Sequence, residues 1–332
     1  MATLPLGAVV FVGCDFPSTL GTRGAPAGAK NGNRARAFVT TIGRAVRLPS
    51  EITGFRLRGM PRYSPDGNRL AVTTVDDGNI YICGLDGDLL TDIRNVIGSD
   101  PGHTINGCAW LTESALLVYE AWMTDADRNR FEEGGGPFAI RWSTRTVNLN
   151  SNAIAECDEY TADESVWLQV AGETRFETIN GSRVVQIDPG SGRSETVAIA
   201  PDGCSFATGW SVPAGFALAV RNLMGNLAGD PADMILYDFA AQAIRTVPSV
   251  PYSPLSLVVA DSGNYIITLD PSERAVVIVD TRSNERRSLG DEFWIPIDYC
   301  PARRALLVNV PQEPAAGGRD QFYEVPFGQL FQ

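Results

Sequence analysis

The chain has 332 residues, 44% of them hydrophobic, and a formal net charge of −12. That apolar content excludes a disordered acidic chain, which could not bury enough surface to offset its ordering entropy. The longest apolar runs, such as Gly7–Val12 and Ala275–Val279, fall far short of the roughly 18 residues that cross a bilayer as a helix.

Taken in chain order, short β-rich runs dominate. They are Val9–Val12, Ala37–Ile42, Leu70–Thr74, Ile80–Cys83, Leu116–Tyr119, Val166–Val170, Val184–Ile187, Ile235–Tyr237, Tyr265–Leu269, Val276–Val279 and Leu306–Val310. Gly, Asn, Asp and Pro punctuate them, which predicts an all-β sandwich, barrel or propeller. Self-similarity separates these options. The clearest unit begins at Tyr63 as Tyr-Ser-Pro-Asp-Gly-Asn-Arg-Leu-Ala-Val-Thr-Thr and runs through Asp76-Asp77-Gly78 to Leu85-Asp86-Gly87. It reads as strand, turn, strand, turn, strand, turn. Pro presets φ at the first central turn position, Asp bonds the backbone ahead, and Gly accepts positive φ.

Further copies of the opening occur at Ile199–Thr208 and Val259–Thr268, with weaker ones at Trp110, Tyr160 and Cys300. Aligning the third turn residue places them at 66, 113, 163, 202, 262 and 302, spaced by 47, 50, 39, 60 and 40. Six copies, with strands enough for a seventh in residues 1–50, predict a single β-propeller over 1–332 built from four-stranded antiparallel blades. Seven blades fit the count, and six or eight lie one repeat away. Radial packing lets each sheet cover its neighbours and leaves only short edges. Residues 1–69 are expected to contribute the first blade, with a long loop at 15–35. Ring closure is expected where N-terminal residues pair with Gln321–Val325.

These units resemble the WD-like repeats of TolB-type β-propellers, well over Tyr63–Gly87 and moderately over Ile199–Asp238 and Val259–Asp280. No Trp-Asp dipeptide closes a repeat, and the insertions are irregular. The resemblance implies the fold and no particular chemistry.

Charge is unevenly placed. Residues 1–69 hold ten basic residues against three acidic ones, while the remainder is strongly acidic. A basic end on an acidic body implies either self-docking or an electronegative partner, and Arg23, Lys30, Arg34, Arg36, Arg44 and Arg47 are the candidate partner-binding residues for an acidic surface on another protein. Nucleic acid is not expected, because the acidic body would repel phosphate. Four segments exceed turn length and are candidate binding loops: Asp15–Ala35, Ala121–Pro137, Val212–Ala232 and Pro311–Arg319. Asp15–Ala35 lacks the Gly-Lys-Ser/Thr of a phosphate loop. Ala121–Pro137 carries alternating Asp125, Asp127 and Asn129 but not the glycine or final glutamate of a calcium loop. It reads instead as a helix capped by Thr124, with Asp127 completing the capping box, Arg128 pairing Glu132 and Gly134 stopping it.

Catalytic signals are sparse. His103 is the sole histidine, and no Gly-x-Ser-x-Gly elbow occurs. Asp76, Asp77, Asp163 and Glu164 are generic carboxylate candidates for glycoside chemistry. Trp110, Trp122, Trp142, Trp167, Trp210 and Trp294 read first as packing between blades and second as platforms for sugars. The six cysteines lie far apart and read as free, buried thiols.

No catalytic residue, cofactor or metal is therefore assigned. The expected function is a non-enzymatic docking component of a larger protein assembly, in the cytoplasm of the producing cell or in a virus particle as a tail or capsid-associated protein. The rival reading is a propeller that binds or cleaves carbohydrate. No signal peptide and no membrane insertion are expected, since Met-Ala-Thr-Leu-Pro-Leu puts no basic segment before a long apolar stretch.

Overall fold

Runs rich in Val, Ile, Leu and Tyr suit a pleated surface that is buried on one or both faces. They form 24 strands among the described residues. The computed structural model describes residues 39–332 except 40, 54, 56, 58–60, 75–76, 99–102, 134–140, 162–165, 172–173, 180, 188–192, 207–210, 224, 254–255, 290–293 and 312–320.

The first strand, β1 (Arg44–Val46), stands apart from its neighbours in sequence. The first sheet then follows as β2 (Arg62–Tyr63), β3 (Arg69–Thr73), β4 (Ile80–Gly84) and β5 (Leu89–Asp92), after which comes a short helix, α1 (Ile93–Ile97). The second is β6 (His103–Thr112), β7 (Ala115–Trp122), β8 (Arg141–Asn148) and β9 (Ile154–Thr161), with helix α2 (Asp125–Glu132) between β7 and β8. The third is β10 (Val166–Ala171), β11 (Thr174–Ile179), β12 (Arg183–Ile187) and β13 (Ser194–Ile199). The fourth is β14 (Cys204–Phe206), β15 (Phe216–Arg221), β16 (Pro231–Asp238) and β17 (Ala243–Pro251). The fifth is β18 (Leu257–Ala260), β19 (Tyr265–Asp270), β20 (Ala275–Asp280) and β21 (Arg286–Ser288). The last comprises β22 (Ile295–Cys300), β23 (Ala305–Val310) and β24 (Gln321–Pro326), and β1 is its fourth member. Each sheet is a four-stranded antiparallel meander, and together they make an all-β propeller.

Burial follows position in the sheet. Strands β22 and β23 are buried along their whole length, whereas the outer strand β21 is exposed along all of it. Alternate side chains enter opposite seams, because successive residues of a strand point to opposite faces. Val276 and Ile278 join a cluster with Leu306 and Val308 of the last sheet. Val277 and Val279 join one with Leu218 and Met234 of the fourth. Leu307 turns the other way and packs with Leu70 and Val72 of the first sheet. The core is thus a set of apolar seams between sheets, each fully buried aliphatic contributing about 2 kcal/mol.

Closure is made by the N-terminal strand. Arg44, Ala45 and Val46 pair with Glu324, Tyr323 and Phe322, as the sequence suggested. Val39 and the C-terminal 3-10 turn Phe327–Phe331 pack together in the seam between the fifth and sixth sheets. The seventh blade expected from residues 1–50 is not found among the described residues. Strand β1 is consumed in completing the sixth sheet, and the backbone N–H of Tyr63 on β2 reaches the Asp298 carboxylate on β22 at 2.8 Å. Residues 1–38 lie outside the described residues, and with them the Val9–Val12 strand. Ala37–Ile42 is not a strand in its described part, where Val39, Thr41 and Ile42 are helical.

The repeat phase also needs correction at two positions. The turns at 66, 113, 262 and 302 join the first two strands of a sheet, but Pro201-Asp202-Gly203 lies between β13 and β14, joining one sheet to the next. Residue 163 likewise falls between β9 and β10, outside the described residues. Cys204 N–H bonds to Pro201 O at 2.9 Å, so Pro-Asp-Gly closes a local turn here although the strands it links belong to different sheets.

Candidate docking surface

Asp298 interrupts an otherwise apolar strand, Ile295-Pro-Ile-Asp-Tyr-Cys, at an irregularity in the pairing of β22 with β23. It is buried, and its carboxylate gathers donors from three parts of the ring. Tyr63 N–H donates to Oδ2 at 2.8 Å. The Ser211 hydroxyl donates to Oδ1, and Arg62 Nη1 lies 3.4 Å from the same oxygen. Ser211 itself sits on the inner edge of β18, its N–H bonded to Leu257 O at 3.1 Å and its carbonyl accepting from Val259 N at 2.7 Å. Ser211, from the segment between β14 and β15, therefore bridges to the edge strand of the fifth sheet. Beside it, Tyr63 OH donates to Glu324 Oε2 at 3.2 Å, and Arg303 grips Glu324 with two bonds of 2.8 and 2.7 Å. Burial, with the Glu324 and Asp298 charges, pushes the Tyr63 phenol far above its ordinary pKa, so it stays a neutral donor. The axial carboxylate is thus fully engaged in holding the first, fifth and sixth sheets together.

The two rims of the ring differ. One carries the turns between first and second strands, including Ser64–Asn68 and Asp261–Asn264, all short apart from 207–215. The other carries the connections between second and third strands, and here length alternates around the ring. Residues 123–140, 222–230 and 311–320 serve the second, fourth and sixth sheets, while 74–79, 180–182 and 271–274 serve the first, third and fifth. Three of the four long segments flagged in the sequence thus begin and end at strand ends on one rim. The fourth, Asp15–Ala35, lies outside the described residues. Within Val212–Ala232 the expected loop is in part strand β15, leaving 222–230 as the connection.

The described parts of two of these connections, 123–133 and 222–230, are held by their own hydrogen bonds and ion pairs. The Thr124 hydroxyl donates to Asp127 Oδ2 at 2.6 Å and accepts from Asp127 N–H at 3.2 Å, the expected cap of α2. Arg128 pairs with Asp125 (3.8 Å) and Arg130 with Asp127 (3.3 Å). At the base of this connection, Arg141 lies over the Trp122 ring, 5.0 Å from its centroid. In 222–230, Gly229 N–H bonds to Tyr252 O at 2.8 Å and Leu227 N–H to Asp230 Oδ2 at 2.9 Å. Leu227 is 73% exposed, the most exposed large apolar side chain among the described residues.

Of the basic residues expected to bind a partner, Arg23, Lys30, Arg34 and Arg36 lie outside the described residues. Arg44 is exposed on β1 and pairs with Asp86 of the first sheet. Arg47 follows the strand, exposed, with its N–H on Leu85 O at 3.1 Å. Asp77 is anchored by the Thr74 hydroxyl and the Tyr81 phenol. Burial and that carboxylate push Tyr81 up to about 12. Asp76, Asp163 and Glu164 lie outside the described residues, and His103 begins β6 at the loop-bearing rim. Trp294 is buried, and the Trp110 indole donates to Arg62 O at 3.2 Å, both consistent with packing between sheets. Cys83, Cys108, Cys204 and Cys300 are free. Asp298 was missed by motif reasoning, although one carboxylate inside an apolar strand was a visible signal.

No protein-family model matches the chain, and no curated protein matches it. Solved structures do. An oligogalacturonate lyase in complex with manganese aligns over 88% of this chain and 92% of its own, with a TM-score of 0.51 and 11% identity. The oligogalacturonate lyase of Vibrio parahaemolyticus aligns over 85% and 91%, with a TM-score of 0.50 and 12% identity. TolB from Acinetobacter baumannii aligns over 74% and 62%, at 0.46 and 14%. At such identities the likeness is one of fold, the β-propeller. Among the described residues no helix is long and apolar enough to cross a membrane, and no group of three or more His, Cys, Asp or Glu converges as a metal ion requires.

Proposed function

We propose that this protein is a non-enzymatic propeller that serves as a rigid docking component of a larger protein assembly, using its loop-bearing rim. The observation that carries the reading is the gathering of three long connections, from alternate sheets, on one rim of a stiff ring. Long loops on a rigid scaffold are the usual carriers of recognition. The axial carboxylate of Asp298 is occupied by structural donors, which moves attention from the channel to the rim. The test is purification of the tagged full-length chain from its source under native conditions, followed by mass measurement of the complex. A stable multi-protein complex that is lost when 222–230 is replaced by a two-residue turn supports the reading. A monomer with no partner removes it.

A second reading rests on the fold shared with oligogalacturonate lyases: that this chain binds or cleaves an acidic glycan. Incubation with oligogalacturonate, read by the ultraviolet absorbance of an unsaturated product and by calorimetric binding, separates the two. Turnover or saturable binding would favour the glycan.

A further inference from the structure

Arg141 opens β8 and pairs in register with Trp122, the last residue of β7. Its guanidinium lies 5.0 Å from the centre of the indole, an attraction of about 0.5–1 kcal/mol at an exposed site. The stack holds a long side chain in place, so less rotamer freedom is lost when it binds something. Among the described side chains nearby, Glu120 is matched by Arg145 at 2.9 Å, Asp125 by Arg128 and Asp127 by Arg130, leaving the exposed Glu133 at the end of α2. Among the described residues Arg141 has no ion pair. It is therefore an exposed cation held against an indole, with no counter-charge among the described residues, at the start of β8 on the loop-bearing rim.

The stack also narrows the ligand. A sugar ring would need the indole face, and on this side the guanidinium covers it. Arg141 is exposed, and an arginine's planar fork of N–H donors matches a carboxylate in a two-bonded arrangement. Arg and Trp are moreover the residues most enriched where interface energy concentrates. We infer that the Trp122–Arg141 pair is the contact point for a carboxylate on an acidic polypeptide segment of the docking partner, an inference that rests on the docking reading above.

The test measures binding of fluorescent deca-L-glutamate to the full-length protein. Ionic strength is set near 0.15 M, where a Debye length of about 8 Å screens the repulsion from the protein's net negative charge. Saturable binding that Arg141→Gln weakens by about tenfold, that Arg141→Lys also weakens, and that Arg287→Gln leaves unchanged supports the inference. Tenfold corresponds to about 1.4 kcal/mol, the scale of a central interface residue. Absence of saturable binding overturns it, as does equal binding by Arg141→Gln and the wild type. Arg141-dependent binding of oligogalacturonate in preference to decaglutamate also overturns it and favours the glycan reading. A native complex that survives Arg141→Gln removes this contact while leaving the docking reading standing.

Discussion

Replacing Asp298 with alanine should open the ring at one seam. The substitution deletes the acceptor for Tyr63 N–H and for the Ser211 hydroxyl, both buried, and leaves the half-buried Arg62 without its carboxylate. Each buried donor left unpaired costs about 1–3 kcal/mol. A loss of about 3–5 kcal/mol follows, allowing for partial repair by water. With an unfolding entropy of about 2.1 cal/mol/K per residue, a chain of 332 residues loses about 1.4 °C of Tm per kcal/mol, so Tm should fall by about 4–7 °C. Asp298→Asn keeps one acceptor oxygen and should fall between alanine and wild type. Scanning calorimetry measures the shift, and amide hydrogen exchange locates it: Tyr63 should exchange faster while β19 and β20 keep their protection. A Tm within 1 °C of wild type for Asp298→Ala, with Tyr63 still protected, would refute the claim that this carboxylate holds the seam.

Gly67 and Gly203 form a matched pair. Both have positive φ, +73° and +75°, but a Cβ on Gly67 would lie 2.5 Å from Cys300 Sγ and from Arg303 Cδ, whereas one on Gly203 meets nothing within 4 Å. Gly203→Ala should cost about 1–2 kcal/mol of backbone strain and Gly67→Ala distinctly more, as read from urea midpoints; equal costs would show that the rim contact does not matter. Burial pushes the thiol of Cys83 up to about 12. Native protein at pH 8 should therefore leave it unmodified by iodoacetamide, with labelling appearing only in denaturant, as peptide mass spectrometry will show. For Asp66, burial raises the carboxyl pKa, but hydrogen bonds from Ser64 and Asn68, with the Arg69 charge, outweigh it and leave the group below its ordinary value. A depressed folded pKa stabilises the native state above the unfolded pKa, and that contribution fades as pH falls through the folded one. Asp66→Asn should accordingly have a lower Tm than wild type at pH 7, and the gap should close below about pH 4; a gap that persists unchanged at pH 3 would contradict this.

Much of the architecture was legible in the chain because it depends on local chemistry. Turn residues mark reversals wherever they stand, and runs such as Ala275–Asp280 are apolar on both faces because sheets cover both. The cap of α2 needed only Thr124 and Asp127. Pairing of the N-terminal segment with Gln321–Val325 followed from the need to leave no free edge. Phase and count were less secure for the same physical reason. Pro201-Asp202-Gly203 makes a good turn between sheets as readily as within one, so turn chemistry alone does not say which strands it joins.

What the amino-acid order determined by itself was a chain of short amphipathic and apolar strands that must stack radially to hide both faces from water. What only the tertiary structure decided was which distant residues meet. Asp298, Ser211, Tyr63 and Glu324 converge because ring closure brings the two ends of the chain together, and the connections 123–140, 222–230 and 311–320 share a rim because every sheet is threaded in the same sense. Neither relation has a local cost or gain that sequence could signal; both arise from long-range closure, where contacts far apart in the chain become neighbours only once the whole ring has formed.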